Sequence, residues 1–190
     1  MSVRLSKTLS YLLRHGARKE NIPISDQGFV LIPDLQNHLI NHCGIHATVE
    51  NIQKVVDFND KKRFEIRNGQ IRAVQGHSLN VDVELETLTL DTVPNVVVHG
   101  TYQKYVQSIR ESGLNRMGRQ HIHMAIGLPD NRQVVSGARK SADVFVYVDA
   151  AAAICDGIPF FRSKNNVILT PGEGDTGVLP PRYIKTIVMN

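Results

Sequence analysis

Residues 63–74 limit the fold more than any other stretch. Arg63-Phe64-Glu65-Ile66 and Ile71-Arg72-Ala73-Val74 are short β-prone runs flanking Arg67-Asn68-Gly69-Gln70. An Asn-Gly pair between such runs predicts a tight hairpin, because both turn residues need positive φ and these two accept it most readily. Upstream, three segments carry helical periodicity instead. Leu5, Leu9, Leu12 and Leu13 stand at i, i+4, i+7 and i+8, the spacing of one buried helix face. Pro33 suits the first turn of a second helix, Asp34 to Asn41, with Leu35, Leu39 and Ile40 inward. Thr48 is the expected N-cap of a third helix carrying Ile52, Val55 and Val56. Three helices followed by a hairpin is the order of a winged-helix unit, an analogy of architecture alone.

The acidic stretch 79–95 (Asp82, Glu84, Glu86, Asp91) ends in Pro94-Asn95 and reads as a strand plus the connection between two lobes, residues 1–92 and 93–190. Beyond it the pattern changes. Val96-Val97-Val98-His99 is a buried-type strand, followed by an amphipathic helix with Tyr105, Val106 and Ile109 inward. Ile122 to Ile126, Val144 to Val148, Asn166 to Thr170 and Ile184 to Met189 read as strands, and Ala150 to Cys155 as a short helix. Many strands, few helices and no glycine-rich phosphate loop argue against a dinucleotide-binding doubly wound fold. The expected class is α+β, the second lobe being a mostly antiparallel sheet.

The 190 residues have an ordinary apolar and charged content, and a net charge of +4 leans toward phosphate-rich partners. Two cysteines, Cys43 and Cys155, make neither a disulfide framework nor a zinc site. No apolar run approaches the ~18 residues of a membrane span, and the N-terminus is unlike a signal peptide. A soluble, intracellular protein is expected, cytoplasmic, or nuclear in a eukaryote.

Four polar segments stand out. Arg14-His15 closes the first helix ahead of Gly16; its bland account is a pair of cations favoured by the helix dipole. Asp60-Lys61-Lys62-Arg63 enters the hairpin and Gln75-Gly76-His77-Ser78 leaves it; a solvated loop and a turn are their plain readings. The fourth, Arg116-Met117-Gly118-Arg119-Gln120-His121-Ile122-His123, puts His121 and His123 on one strand face. With His99 these could suggest zinc, but a catalytic site also needs convergent ligands and a base, and no carboxylate is evident for that role. No metal is expected. Ser136 lacks a nucleophile elbow. Arginines and histidines in this number suit binding phosphates and stabilising charge.

Taken together, these segments resemble the RNA 2′-phosphotransferase family. The matching text is Leu5-Ser6-Lys7 to Leu12-Leu13-Arg14-His15, Lys62-Arg63-Phe64, Ile71-Arg72-Ala73 and Gln75-Gly76-His77-Ser78. It continues with His99-Gly100-Thr101, Arg119 to His123, Ser136-Gly137-Ala138-Arg139, Phe161-Arg162-Ser163 and Pro180-Pro181-Arg182-Tyr183-Ile184. The matches keep their order over nearly the whole chain.

The resemblance implies a winged-helix RNA lobe, an ADP-ribosyltransferase-like lobe, and NAD⁺ consumed as a co-substrate. An internal RNA 2′-phosphate, tRNA being the expected carrier, would attack C1″ of the nicotinamide ribose and expel nicotinamide. The 2″-hydroxyl would then attack phosphorus, releasing 2′-hydroxyl RNA and ADP-ribose 1″,2″-cyclic phosphate. The family's Arg-His-Arg-Arg set falls on Arg14, His15, Arg63 and Arg119. Arg14, His15 and Arg63 would hold the 2′-phosphate, with Lys7, Arg72 and His77 as further RNA contacts, and Arg119 would assist the second step from the ADP-ribose side. His99, Gly100, Thr101, His121, His123, Ser136, Gly137 and Arg139 would line the NAD⁺ pocket. Val167 falls where many protein-modifying relatives carry a glutamate, so protein ADP-ribosylation is not expected. Pro171 to Gly177 looks longer than the usual connection. Two alternatives stay open: a nucleic-acid ADP-ribosyltransferase that stops at a capped terminal phosphate, and a winged-helix module that only senses NAD⁺. A monomer is expected, with no membrane partner.

Overall fold

The leucine stripe does form a buried helix face. In a computed structural model describing residues 3–127 and 141–189, Val3–Tyr11 is an α-helix, α1. Leu5, Leu9, Leu12 and Leu13 are each no more than 4% exposed. Each such side chain contributes about 1.5–3 kcal/mol by leaving water. The helix then widens. Leu12–Gly16 is a π turn, closed by an i→i+5 bond from Ala17 N–H to the Leu12 carbonyl at 2.9 Å.

The chain divides into two compact units, residues 1–84 and 85–190. In the first, α1 and the π turn are followed by β1 (Val30–Leu31), α2 (Ile32–Cys43), α3 (Val49–Asp57), β2 (Phe64–Arg67) and β3 (Gln70–Ala73). Thr48 caps α3, and its backbone N–H is answered by the Asn51 side chain in a reciprocal box. Helix α2 starts earlier than expected and buries Ile32, Leu35, His38 and Leu39. That stripe turns Ile40 outward, 40% exposed, and gives the inward slot to His38. The hairpin is as predicted: Phe64 pairs with Ala73 and Arg67 with Gln70, and Asn68 (φ 50°) and Gly69 (φ 72°) make the turn. β1 adds on the other side of β3, giving the order β1-β3-β2.

The second unit holds β4 (Glu86–Thr87), β5 (Val97–Thr101), α4 (Val106–Ser112), β6 (Leu114–Asn115), β7 (Ile122–Ile126), β8 (Val144–Val148), α5 (Ala150–Cys155), β9 (Phe161–Arg162), β10 (Ile168–Thr170), β11 (Val178–Leu179) and β12 (Ile184–Met189). Seven strands form an antiparallel sheet in the order β12-β8-β5-β7-β10-β9-β4, and β6 pairs with β11 in a separate ribbon. The core gathers Val97, Met124, Val146, Phe160 and Ile168 from this sheet and its neighbours. Residues 85–92, which the sequence groups with the first lobe, pack here: β4 pairs with β9, and Leu88 is buried in the second core. Tyr105, expected inward, belongs to a 3₁₀ turn ahead of α4; it is 47% exposed, with Lys104 Nζ 4.9 Å from its ring. The architecture is mixed α+β with antiparallel sheets.

Candidate active site

In the first unit the site grows from the π turn. A π turn projects its side chains on a different bearing from the α-helix before it, and such turns recur at functional sites. Arg14 and His15 lie in this one, both half-buried. The Arg14 carbonyl accepts the N–H groups of Ser78 (3.0 Å) and Leu79 (3.3 Å). The polar exit from the hairpin is thereby stitched to the end of the helix. His15 Nδ1 lies 2.9 Å from Ser78 Oγ, a bond that fixes the plane of the imidazole. Gly76 (φ 90°) lies against the Arg14 guanidinium: a Cβ added there would fall 3.2 Å from Nε and 3.3 Å from Cζ. Arg63 joins through the backbone. Its carbonyl accepts Val74 N–H at 3.0 Å, so it stands across the hairpin from the residue two before Gly76.

Arg14, His15 and Arg63, distant in sequence, are thus gathered around one turn, residues 74–78. Sequence reading singled out that turn but passed over the residues that do the holding, Gly76 and Ser78. The π turn leaves no periodic signal, since five residues are too few to shift a hydrophobic stripe.

Two expected RNA contacts need correction. Arg72 is 1% exposed and committed elsewhere. Its guanidinium donates to Glu65, lies 3.5 Å from Glu84 and 4.4 Å over the Phe29 ring, and donates to the Gln27 carbonyl at 3.1 Å. A buried charge needs such partners, and a guanidinium surrounded by them is a member of the sheet's support. His77, 2% exposed, is likewise interior, its Nε2 facing the backbone of Gly28. Lys7 stands exposed on α1.

The second unit brings together a different set. His99 on β5 and His123 on the neighbouring β7 are linked: His99 Nδ1–H donates to the His123 carbonyl at 2.8 Å. A carbonyl can only accept, so neutral His99 carries its proton on Nδ1 and a lone pair on Nε2. Gly100 and Thr101 complete β5, paired with Phe145 and Val144 of β8. Thr101 is 7% exposed. Beyond the strand end, Tyr102, Gln103, Lys104 and Asp143 line an open hollow. His123 lies in β7, whereas His121 precedes it, its ring edge-on to Phe161 with centroids 5.9 Å apart. Burial, and then the Arg116 cation, lower the His121 pKa below its ordinary 6.5. Imidazoles and a hydroxyl on adjacent strands set hydrogen-bond donors and acceptors side by side. Arg119 is exposed on the turn between β6 and β7, its N–H donating to the Arg116 carbonyl at 3.2 Å. Ser136, Gly137 and Arg139 lie outside the described residues. Val167 is fully buried; its N–H donates to Ser163 Oγ at 3.0 Å. Among the described residues no three His, Cys, Asp or Glu side chains converge as a metal set, and no helix is long and apolar enough to cross a membrane.

Comparison with known proteins bears on this arrangement. Residues 1–172 match the family model described as RNA 2′-phosphotransferase, Tpt1/KptA family. The chain is 46% identical over 190 residues to a protein of Danio rerio named tRNA 2′-phosphotransferase 1, covering 95% of this chain and 83% of the relative. It is 48% identical over 191 residues to the protein of that name in Bos taurus (96% and 74% covered) and 47% over 192 residues to that in Homo sapiens (96% and 74%).

Proposed function

The chain belongs to the RNA 2′-phosphotransferase family, and we infer from that membership and from its paired cations that it removes an internal 2′-phosphate from RNA, NAD⁺ serving as acceptor. The relatives' names make tRNA the first substrate to test. In this reading the first unit is a winged-helix RNA lobe and the second an ADP-ribosyltransferase-like lobe. NAD⁺, a second substrate, supplies an electrophilic C1″ with nicotinamide as the leaving group.

The observation that carries the reading is the Arg14-His15 pair, fixed in the π turn by Gly76 and Ser78. A dianionic phosphate needs fixed donors, and a guanidinium matches two of its oxygens at once. Arg14 and Arg63 hold the phosphate through both steps, and His15 bonds a third oxygen or moves a proton. In the second step the 2″-hydroxyl gives up its proton and bonds to phosphorus, the RNA 2′-oxygen leaves and takes up a proton in exchange, and negative charge gathers on the equatorial oxygens. Preset cations lower that barrier without reorganising during reaction. Arg119 assists this step from the ADP-ribose side. His99, Thr101 and His123 bind the nicotinamide nucleotide, with Gly100 giving close backbone approach; His121, Ser136, Gly137 and Arg139 complete the pocket.

The test is a short RNA with one internal 2′-phosphate, incubated with and without NAD⁺ and followed by mass spectrometry. NAD⁺-dependent phosphate loss, with a cyclic phosphate of ADP-ribose formed in equal amount, is expected. RNA that only gains ADP-ribose would move the reading to a capping transferase, and no turnover would leave a binding module.

A further inference from the structure

The chemistry above leaves Arg116 and the glycine-rich loop 171–177 without a role, yet the two are built against each other. Arg116 N–H donates to the Gly177 carbonyl at 2.9 Å. Its side chain lies flat along that glycine: a Cβ at Gly177 would fall 2.7 Å from Nε, 3.1 Å from Cγ and 3.3 Å from Cδ. The guanidinium reaches on to the Gln120 carbonyl, 3.4 Å from Nη1. Its own carbonyl accepts Arg119 N–H. One side chain therefore spans the turn from its first residue to its last peptide, and one backbone carbonyl holds the residue at its tip.

We propose that Arg116, clamped on the 171–177 loop, is a positioning residue that presents Arg119; the inference rests on Arg119 being a working guanidinium.

The loop is shaped for this work. Glu173 N–H donates to the Val178 carbonyl at 2.8 Å, Thr176 Oγ1–H donates to the Glu173 carbonyl at 2.6 Å, and Glu173 pairs with Arg182. The β6–β11 ribbon, with Leu114 opposite Leu179 and Asn115 opposite Val178, fastens the base of the turn to the end of the loop. Asn115 Oδ1 then accepts Met117 N–H at 2.6 Å. The one large exposed cation of the turn, Arg119, is carried by a frame in which Asn115, Arg116, Met117 and Gln120 are each held by a hydrogen bond. Arg116 is half-buried with its head on a carbonyl, and in this proposal it acts through the turn.

The test compares single-turnover 2′-phosphate release in Arg116→Ala, Arg119→Ala and the double variant, with hydrogen exchange of the 116–121 amides. Arg116→Ala should lose roughly 10-fold, within the range that misplacing a catalytic group produces. The double variant should be no slower than Arg119→Ala, because a positioning residue has nothing left to position. Exchange should rise across Met117–Gln120 and stay unchanged in β7, and Arg116→Lys should recover most of the loss. Gly177→Ala, which pushes on the same side chain from below, should reproduce the defect. Losses that multiply, or exchange that stays unchanged, would overturn the clamp. Wild-type turnover by Arg119→Ala, with exchange raised in Arg116→Ala, would instead sink the reading of Arg119.

Discussion

Replacing Gly76 by alanine sets a methyl group against the Arg14 guanidinium. Two costs follow, and they separate. The backbone cost comes from φ at 90°, where an L side chain crowds its own carbonyl for about 1–2 kcal/mol. For a chain of this size that lowers Tm by about 2–8 °C, well within a typical stability of about 5–15 kcal/mol. The second cost is positional. The methyl would lie 3.2 Å from Nε, 3.3 Å from Cζ and 3.5 Å from Cδ of Arg14, so a few tenths of an ångström must be yielded. The Arg14 carbonyl is held by Ser78 and Leu79, and the movement falls on the guanidinium. Since a shift of about 1 Å at a reacting group can cost 10²-fold, a roughly 10-fold loss of kcat/KM for the 2′-phosphorylated RNA is expected. Gly69→Ala is the control: its φ is 72°, nothing lies within 4 Å of its Cβ position, and it should share the fall in Tm while keeping activity. The assay pairs thermal melting with RNA-limited turnover. Wild-type turnover by Gly76→Ala, or equal activity loss in Gly69→Ala, would refute the argument that Gly76 is there for Arg14.

Arg72→Ala should destabilise the first unit by about 3 kcal/mol, because it removes the buried cation that lies over the Phe29 ring and leaves Glu65 only Arg67, 3.9 Å away; denaturant unfolding measures it, and the fraction still folded should bind RNA normally. Ser78→Ala removes the hydroxyl that orients His15, worth about 0.5–1.5 kcal/mol, so turnover should fall roughly 2–10-fold with little change in Tm. His121 should titrate by NMR below 6.5, chiefly from burial and secondarily from Arg116; Arg116→Ala should raise its pKa only part of the way. Because that folded-state pKa is lowered, the unfolded chain binds more protons below pH 6.5. The His121 contribution to stability is therefore intact above 6.5 and lost as pH falls through the folded value, and His121→Gln should flatten that part of the stability curve.

Patterns repeated over several residues were legible in the sequence. The leucine stripe, the Asn-Gly turn, the Thr48 cap and the runs at 122–126 and 144–148 each rest on a local rule of periodicity or turn chemistry, and the backbone obeys it. Three elements of two residues were not: β6, β9 and β11 are too short to carry a period and exist because a partner strand lies beside them. Arg72 misled for a related reason. Basic residues in a hairpin suggest a solvated face, and only the distant Phe29 and Glu84, with Glu65 across the ladder, reveal a buried ion network. In the candidate site, residue types were readable while their supports were not. Gly76 and Ser78 matter through contacts with residues more than sixty positions away, and no local rule encodes those.

The π turn at Leu12–Gly16 bears on how this lobe can change. Widening a helix by one residue throws everything after it out of phase with everything before, much as an extra letter shifts a reading frame. No exchange of one side chain for another undoes that offset. A single deletion between Leu12 and Gly16 could: it would restore an unbroken α-helix, keep most of the leucine stripe in place and rotate Arg14 and His15 away from Ser78. The lobe could then fold with its core nearly intact and its cations misdirected, so the length of this segment matters to the site alongside the identity of its residues.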